Sequence, residues 1–223
     1  MNIHSVMITH NRLELTKQAI VSYLETVTGP WSLAVVDNGS SDGTREWLMK
    51  PDGSFADLNR IKVILLPDNM YPGYACNRGW EQAPPDTVLL HRADNDWRFL
   101  PDWETHVRLM FSANEDLGQL GMRTGEQELH NLHNVGGNCV IRKALWDQGL
   151  RYDERPWPKI KRPGYTEDSY MSPKVQSMGW EWDRVQQSCI ESLADEDPHD
   201  PYYLQSWEDR GILEQAKRAY GIE

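Results

Sequence analysis

Asp94-Asn95-Asp96 stands a few residues after the apolar run 87–90. Two carboxylates one residue apart can both face a divalent cation when the loop turns between them. Mg2+ or Mn2+ takes such oxygen ligands and keeps positions open for phosphate. Two further polar clusters follow apolar runs in the same way. One is Thr9-His10-Asn11-Arg12, which closes the run 5–9. The other is Asp37-Asn38-Gly39-Ser40-Ser41-Asp42-Gly43, which follows the run 33–36 and is dense in turn and cap residues. Farther along, Thr166-Glu167-Asp168 opens a stretch of helical spacing. There Thr166 can cap the helix while the two acids favour its first turn by about 0.3–1 kcal/mol.

These clusters need elements to hold them. Apolar runs at 5–9, 33–36, 61–66 and 87–90 read as strands, and segments 13–24, 44–49 and 75–82 read as helices between them. Strands alternating with helices imply parallel βαβ units covered on both faces, with ligands at the carboxyl ends of the strands. Polar clusters follow three of these four strands, a recurrence more telling than any one cluster. Beyond Asp96 the rhythm changes. Helices are expected over 102–111 and 143–148, strands through Val140-Ile141 and 180–185, and a mobile Pro-rich loop over 155–163. A helix is expected over 166–178, kinked or cut by Pro173, and a last amphipathic helix over 207–220 after an acidic loop.

Composition limits the partners. A chain of 223 residues, 39% of them hydrophobic, fits one packed domain without internal repeat. Its net charge of −11 argues against a broad nucleic-acid surface, which needs clustered Lys and Arg. Three cysteines, Cys76, Cys139 and Cys189, lack metal-type spacing and read as buried residues of a reducing compartment. Met1 to Arg12 mixes polar groups into a short apolar run, so no signal peptide is expected. No run approaches the roughly 20 apolar residues of a membrane span. A cytoplasmic protein without an integral membrane segment is expected. The ten tryptophans are read mainly as core, although Trp97, Trp103, Trp157, Trp180 and Trp182 lie near the polar motifs.

Taken in order, these pieces resemble the GT-A glycosyltransferases of the large inverting family 2. The resemblance runs through the first-strand motif 5–12, through Val35-Val36-Asp37-Asn38-Gly39-Ser40-Ser41-Asp42-Gly43-Thr44, and through Gly73-Tyr74-Ala75-Cys76-Asn77-Arg78-Gly79. It continues with Asp94-Asn95-Asp96 and Thr166-Glu167-Asp168, covering about three-quarters of the chain. It implies an α/β GT-A fold with a mostly parallel central sheet flanked by helices. The single domain would divide into a nucleotide-sugar-binding half (1–97), an acceptor half (98–194) and a C-terminal loop and helix (195–223).

The resemblance also implies roles. Thr9 and Asn11 would border the nucleotide, Asp37 would read the base or ribose beside Ser40, and Asn77 would flank the nucleotide pocket. Asp94 would lie near ribose and metal, with Asp96 and His199 as ligands of Mn2+ or Mg2+. Gly136 and Gly137 would form the glycine loop on the acceptor side. Asp168 would be the general base and Glu167 would orient groups around it. The reaction implied is metal-assisted, inverting transfer of one sugar from a UDP- or GDP-sugar to a hydroxyl on a protein or glycan. The segment Asn69-Met70-Tyr71-Pro72-Gly73 is longer than the usual pattern, and Ala93 stands where many relatives carry an extra acid. The Q-x-x-R-W type signature of processive synthases is absent, which favours single-sugar transfer. A nucleotidyltransferase of related fold would be expected to carry a G-x-G-T-R loop after the first strand, and Thr9-His10-Asn11-Arg12 is none. A catalytically dead carbohydrate- or nucleotide-binding relative is the other alternative, against which the retained Asp96 and Asp168 weigh.

Overall fold

The structure is a computed structural model. It describes residues 1–50, 59–124, 134–160, 166–194 and 201–220. Its centre is a seven-stranded sheet of order β3-β2-β1-β4-β7-β6-β8, formed by β1 (Asn2–Thr9), β2 (Trp31–Asn38), β3 (Ile61–Leu66), β4 (Thr87–Asp94), β6 (Leu117–Gly121), β7 (Cys139–Arg142) and β8 (Glu181–Arg184). All neighbouring pairs are parallel except the two that involve β7. A short ribbon pairs β5 (Trp97–Phe99) with β9 (Ile190–Ser192).

The apolar runs explain why this sheet is buried on both faces. Along β1, Ile3 and Met7 enter one core while Val6 and Ile8 enter the other; along β2, Leu33 and Val35 oppose Ala34 and Val36. This period of two serves two hydrophobic layers. The first layer is closed by α1 (Leu13–Thr26) and α4 (Trp103–Ala113), through Ile20, Tyr23, Trp103 and Phe111. The second is closed by α3 (Tyr71–Trp80), α5 (Lys143–Asp147) and α6 (Met171–Ser177), through Trp80, Leu145, Trp146 and Val175. The short α2 (Thr44–Leu48) follows β2, and the last helices are α7 (Pro201–Asp209) and α8 (Leu213–Tyr220). All three cysteines are buried and free. No helix among the described residues is long and apolar enough to cross a membrane.

Several expectations are corrected. The helix expected at 75–82 starts earlier, at Tyr71. The Asn69 side-chain carbonyl accepts from the Tyr71 N–H at 2.9 Å, and Tyr71 takes a left-handed φ of 65° that turns the longer segment into the helix. The single helix expected at 207–220 is two, broken where Gly211 has φ 69°. In the stretch 166–178 a 3-10 turn (Glu167–Tyr170) gives way to α6, and Pro173 falls in the first turn of α6, where its missing N–H costs nothing. The strands β5, β6 and β9 carried no sequence signal strong enough to be expected. Residues 161–163 of the expected mobile loop lie outside the described residues.

Candidate active site

The chain leaves β1 for β2 on one side of the sheet, whereas β4 lies on the other, so the strand order reverses between β1 and β4. Such a reversal opens a crevice beyond the carboxyl ends of the two strands. The loops at those ends hold Asn11 and Arg12 from β1 and Asp94 to Asp96 from β4. The register places Ile8 beside Asp94, so the two loops emerge side by side.

The β1 loop is built from strained backbone. Asn11 and Arg12 both adopt left-handed conformations, with φ 55° and 61°, and the neighbouring loops hold them there. Asn11 donates its N–H to the Ser40 hydroxyl at 2.8 Å, and its side-chain carbonyl accepts from the Ser41 N–H at 2.8 Å. Asn95 donates to the Asn11 carbonyl at 3.1 Å and to the Thr16 hydroxyl at 2.8 Å. The middle residue of the D-x-D motif therefore ties β4 to β1 and leaves the flanking acids to point elsewhere. Thr9 is fully buried beneath this clamp, its hydroxyl 3.5 Å from the Val36 carbonyl.

Asp96 takes an ion pair from Arg12 at 3.0 Å through Oδ2, and its Oδ1 is buried without a hydrogen-bond partner among the described residues. Burial, with the neighbouring Asp94 charge, raises its carboxyl to a pKa of about 6 despite Arg12. An anionic oxygen left bare and poorly solvated is a site that a cation would relieve. No three His, Cys, Asp or Glu side chains converge as a ready metal cage among the described residues. Asp96, helped by Asp94, would nonetheless suit a hard divalent ion, which takes oxygen ligands. His199 lies outside the described residues.

Asp94 is held differently. Its N–H donates to the Asn138 side-chain carbonyl at 3.0 Å, and its Oδ1 meets Nε and Nη2 of Arg92 at 3.3 and 3.4 Å. Gly137 lies against this pair. A Cβ there would stand 2.9 Å from Arg92 Nη2 and 3.0 Å from Asp94 Oδ2, and Gly136 before it has φ 75°. The glycine pair expected on the acceptor side thus touches the D-x-D motif itself. Arg92 continues to Glu167, donating from Nη1 to Oε1 at 2.7 Å, while Trp157 donates its indole N–H to Oε2 at 2.6 Å. Glu167 is buried, which raises its pKa against the pull of Arg92. Asp168 is the next residue, half-buried, and its Oδ1 accepts from the Thr166 hydroxyl. Thr166 also forms a capping box with Ser169 at this turn. Capping is therefore real here, and it fixes the direction in which the two acids leave the backbone.

Two expected site residues are more deeply placed. Asp37 is fully buried. Its Oδ2 accepts from the Ser40 N–H and pairs with Arg45, both at 3.3 Å, while Oδ1 has no partner among the described residues. Gly39 lets this loop press onto the next, since a Cβ would lie 2.5 Å from the Asp68 carbonyl carbon. Asn77 is spent on the 152–154 segment, accepting from the Tyr152 N–H at 3.1 Å and donating to Glu154 at 2.9 Å. Sequence reading missed Arg92 and Asn138; it placed Arg12 in the first-strand cluster and Trp157 near the polar motifs, but gave neither its partner. Arg92 had a signal, since a charge next to an apolar strand is kept only where partners bury with it. Asn138 had none.

A profile described as Glycosyl transferase family 2 matches residues 5–151, about two-thirds of the chain, from β1 past the glycine pair. The chain belongs to glycosyl transferase family 2. A search of curated proteins gives no match. Solved structures share the GT-A fold. The mannosyltransferase PcManGT from Pyrobaculum calidifontis, in complex with GDP-Man and Mn2+, superposes with a TM-score of 0.68 at 15% identity, covering 96% of this chain and 69% of that one. TarS 1–349 from S. aureus superposes with a TM-score of 0.67 at 13% identity, covering 99% of this chain and 72% of that one. The same TarS piece in complex with UDP-GlcNAc gives 0.68 at 14% identity, covering 92% and 64%. This glycosyltransferase is therefore built on a GT-A sheet, with the acids of β4 and of the turn after Thr166 joined through Arg92.

Proposed function

We propose that this enzyme transfers one sugar from a UDP- or GDP-sugar to a hydroxyl acceptor with inversion at the anomeric carbon. The observation that carries this reading is Asp96, whose buried and unpartnered Oδ1 sits at the sheet's switch point. The donors bound by the two structural neighbours, GDP-Man and UDP-GlcNAc, support the donor class. Residues 1–97 form the donor half, with Thr9, Asn11, Asp37, Ser40, Asn77 and Asp94 around the nucleotide or behind it. Residues 98–194 form the acceptor half, reached through Gly136 and Gly137. A protein or soluble glycan is the acceptor favoured.

Mn2+ or Mg2+, when bound at Asp96, neutralises charge that accumulates on the departing diphosphate. The remaining work falls to the chain's own groups. Asp168 takes the acceptor's hydroxyl proton as the oxygen bonds to the anomeric carbon, and the bond from that carbon to the diphosphate oxygen breaks on the opposite side. The nucleoside diphosphate leaves with the bonding pair. Thr166 holds one oxygen of Asp168, and Glu167, fixed between Arg92 and Trp157, sets the angle of the turn. A positioned carboxylate base supplies about 10²–10⁴-fold in rate. Asp168→Asn keeps the shape and removes the basicity. Turnover should fall by about that factor while calorimetry shows donor binding intact. NMR of the wild-type product should show the anomeric configuration opposite to the donor's; retained configuration, or near-normal turnover by Asp168→Asn, rules the mechanism out.

A further inference from the structure

We propose that Arg92 is a positioning residue that couples the donor-side acid Asp94 to the acceptor-side acid Glu167, so that occupancy of one half of the crevice is felt in the other. The inference rests on the glycosyl-transfer reading above. The Arg92 side chain is 4% exposed and lies in β4, two residues before Asp94. Its planar fork is divided between two acids: Nη1 reaches Glu167 at 2.7 Å, and Nε and Nη2 reach Asp94 at 3.3 and 3.4 Å. A guanidinium is rigid, so the direction of one set of bonds fixes the direction of the other.

Every side of the group is held. The Tyr152 ring lies 4.9 Å from its central carbon, Gly137 leaves room for nothing larger than hydrogen beside Nη2, and Trp157 completes the other oxygen of Glu167. Stability alone is a poor reason for this arrangement, because a buried ion pair is often matched by apolar side chains of similar volume. One cation shared by two carboxylates also leaves a surplus negative charge, which a simple neutralising pair would not. What the arrangement does provide is a short mechanical path from the turn that carries Asp168 to the acid at the end of β4.

The test uses nucleotide affinity; because Glu167 also packs near Gly73 of α3, the Arg92→Lys background separates coupling through Arg92 from any effect through that helix. UDP and GDP, each with Mn2+, are titrated calorimetrically into the wild type, Glu167→Gln, Arg92→Lys and the double variant. Lysine keeps the charge and cannot grip both acids. The expected result is that Glu167→Gln changes the nucleotide Kd by about 2- to 30-fold, and that the same substitution in the Arg92→Lys background leaves Kd unchanged. A purely structural Arg92 would lower Tm and leave these Kd values alone. Should Arg92→Lys fail to fold, the cycle of Asp94→Asn with Glu167→Gln, Arg92 intact, carries the same question: non-additive Kd changes support the coupling and additive ones overturn it. An unchanged Kd in Glu167→Gln, or an equal change in both backgrounds, also overturns it. A wild type that binds neither UDP nor GDP removes the glycosyl-transfer reading and the coupling with it, whereas binding with additive effects removes the coupling alone.

Discussion

Two carboxylate oxygens in this protein are buried without partners among the described residues, Oδ1 of Asp37 near the end of β2 and Oδ1 of Asp96 just after β4. A buried oxygen of that kind costs free energy on the order of 1–3 kcal/mol when nothing binds it, and more when it is charged. Proteins keep such groups where a ligand completes them. For Asp37 the complement expected is a hydrogen-bond donor from a base or ribose. Asp37→Ala should then weaken binding of the nucleoside diphosphate about 10-fold or more, in line with the 1.5–3 kcal/mol of a hydrogen bond to a charged group. The sugar preference should change little. Calorimetry on the folded variant decides this, and unchanged affinity would leave Asp37 as a turn residue.

At the scale of elements, the loops after β1, β2 and β4 and the turn after Thr166 matter more than the helices between them. The glycine pair before β7 shows how tightly they fit. Gly137→Ala would push a methyl group to 2.9 Å from Arg92 Nη2 and 3.0 Å from Asp94 Oδ2. The expected outcome is a fall of about 10-fold or more in kcat, since small misplacements at a reacting centre are costly. Tm should drop by only a few degrees. Steady-state kinetics with a melting curve checks both, and full activity would remove the glycine from the site.

Much of this was legible beforehand. The runs of β1, β2 and β4 are nearly continuous in apolar residues because both faces are covered, and their short length between turn residues marks them as strands. Asp94, Asp96, Glu167 and Asp168 stood out because carboxylates were placed behind strands or at a helix start. What was not legible came from long-range packing. Arg92 meets Glu167 across 75 positions of sequence, and Arg12 meets Asp96 across 84, so neither pair has a local signature. The ribbon of β5 and β9 escaped notice because three-residue strands show no period. Asn77 read as a nucleotide-side residue from its motif, yet its amide holds the 152–154 segment.

For the molecule as a whole, two buried histidines among the described residues weigh heavily in the response to acid. His4 bridges the Ser32 hydroxyl and the Gly79 carbonyl, and burial lowers its pKa to about 4; His91, bonded to Ser5 among Phe99 and Trp103, is lowered to about 3. Both are below the ordinary value of 6.5, so the folded state holds them neutral while the unfolded chain takes up protons as pH falls. Their stabilisation is complete above about pH 6.5 and is lost toward pH 4, at about 1.4 kcal/mol per histidine per pH unit. Asp96 acts in the opposite sense between about pH 6 and 4, because its raised carboxyl is relieved by protonation. Glu167, also raised by burial, acts with Asp96, whereas Asp42, Glu104 and Asp153 are held below the ordinary carboxylate value by their hydrogen bonds and add to the loss as pH falls. Urea midpoints should therefore fall between pH 6.5 and 4, and His4→Asn should flatten the slope by one histidine's share. An unchanged slope would mean that His4 is already charged in the folded protein.

Binding of a nucleoside diphosphate at the end of β4 through a divalent ion on Asp96 is the proposal on which the others depend. The most direct measurement is thermal unfolding of the wild type and of Asp96→Ala, with UDP or GDP, in the presence and absence of Mn2+. At about 100 times Kd a ligand adds about 2.7 kcal/mol to the native state, about 5–10 °C in Tm for a chain of this size. One of the two nucleotides should give such a rise with Mn2+, EDTA should remove it, and folded Asp96→Ala should show little of it. A rise of equal size in Asp96→Ala, or none with either nucleotide in Mn2+, would contradict the proposal.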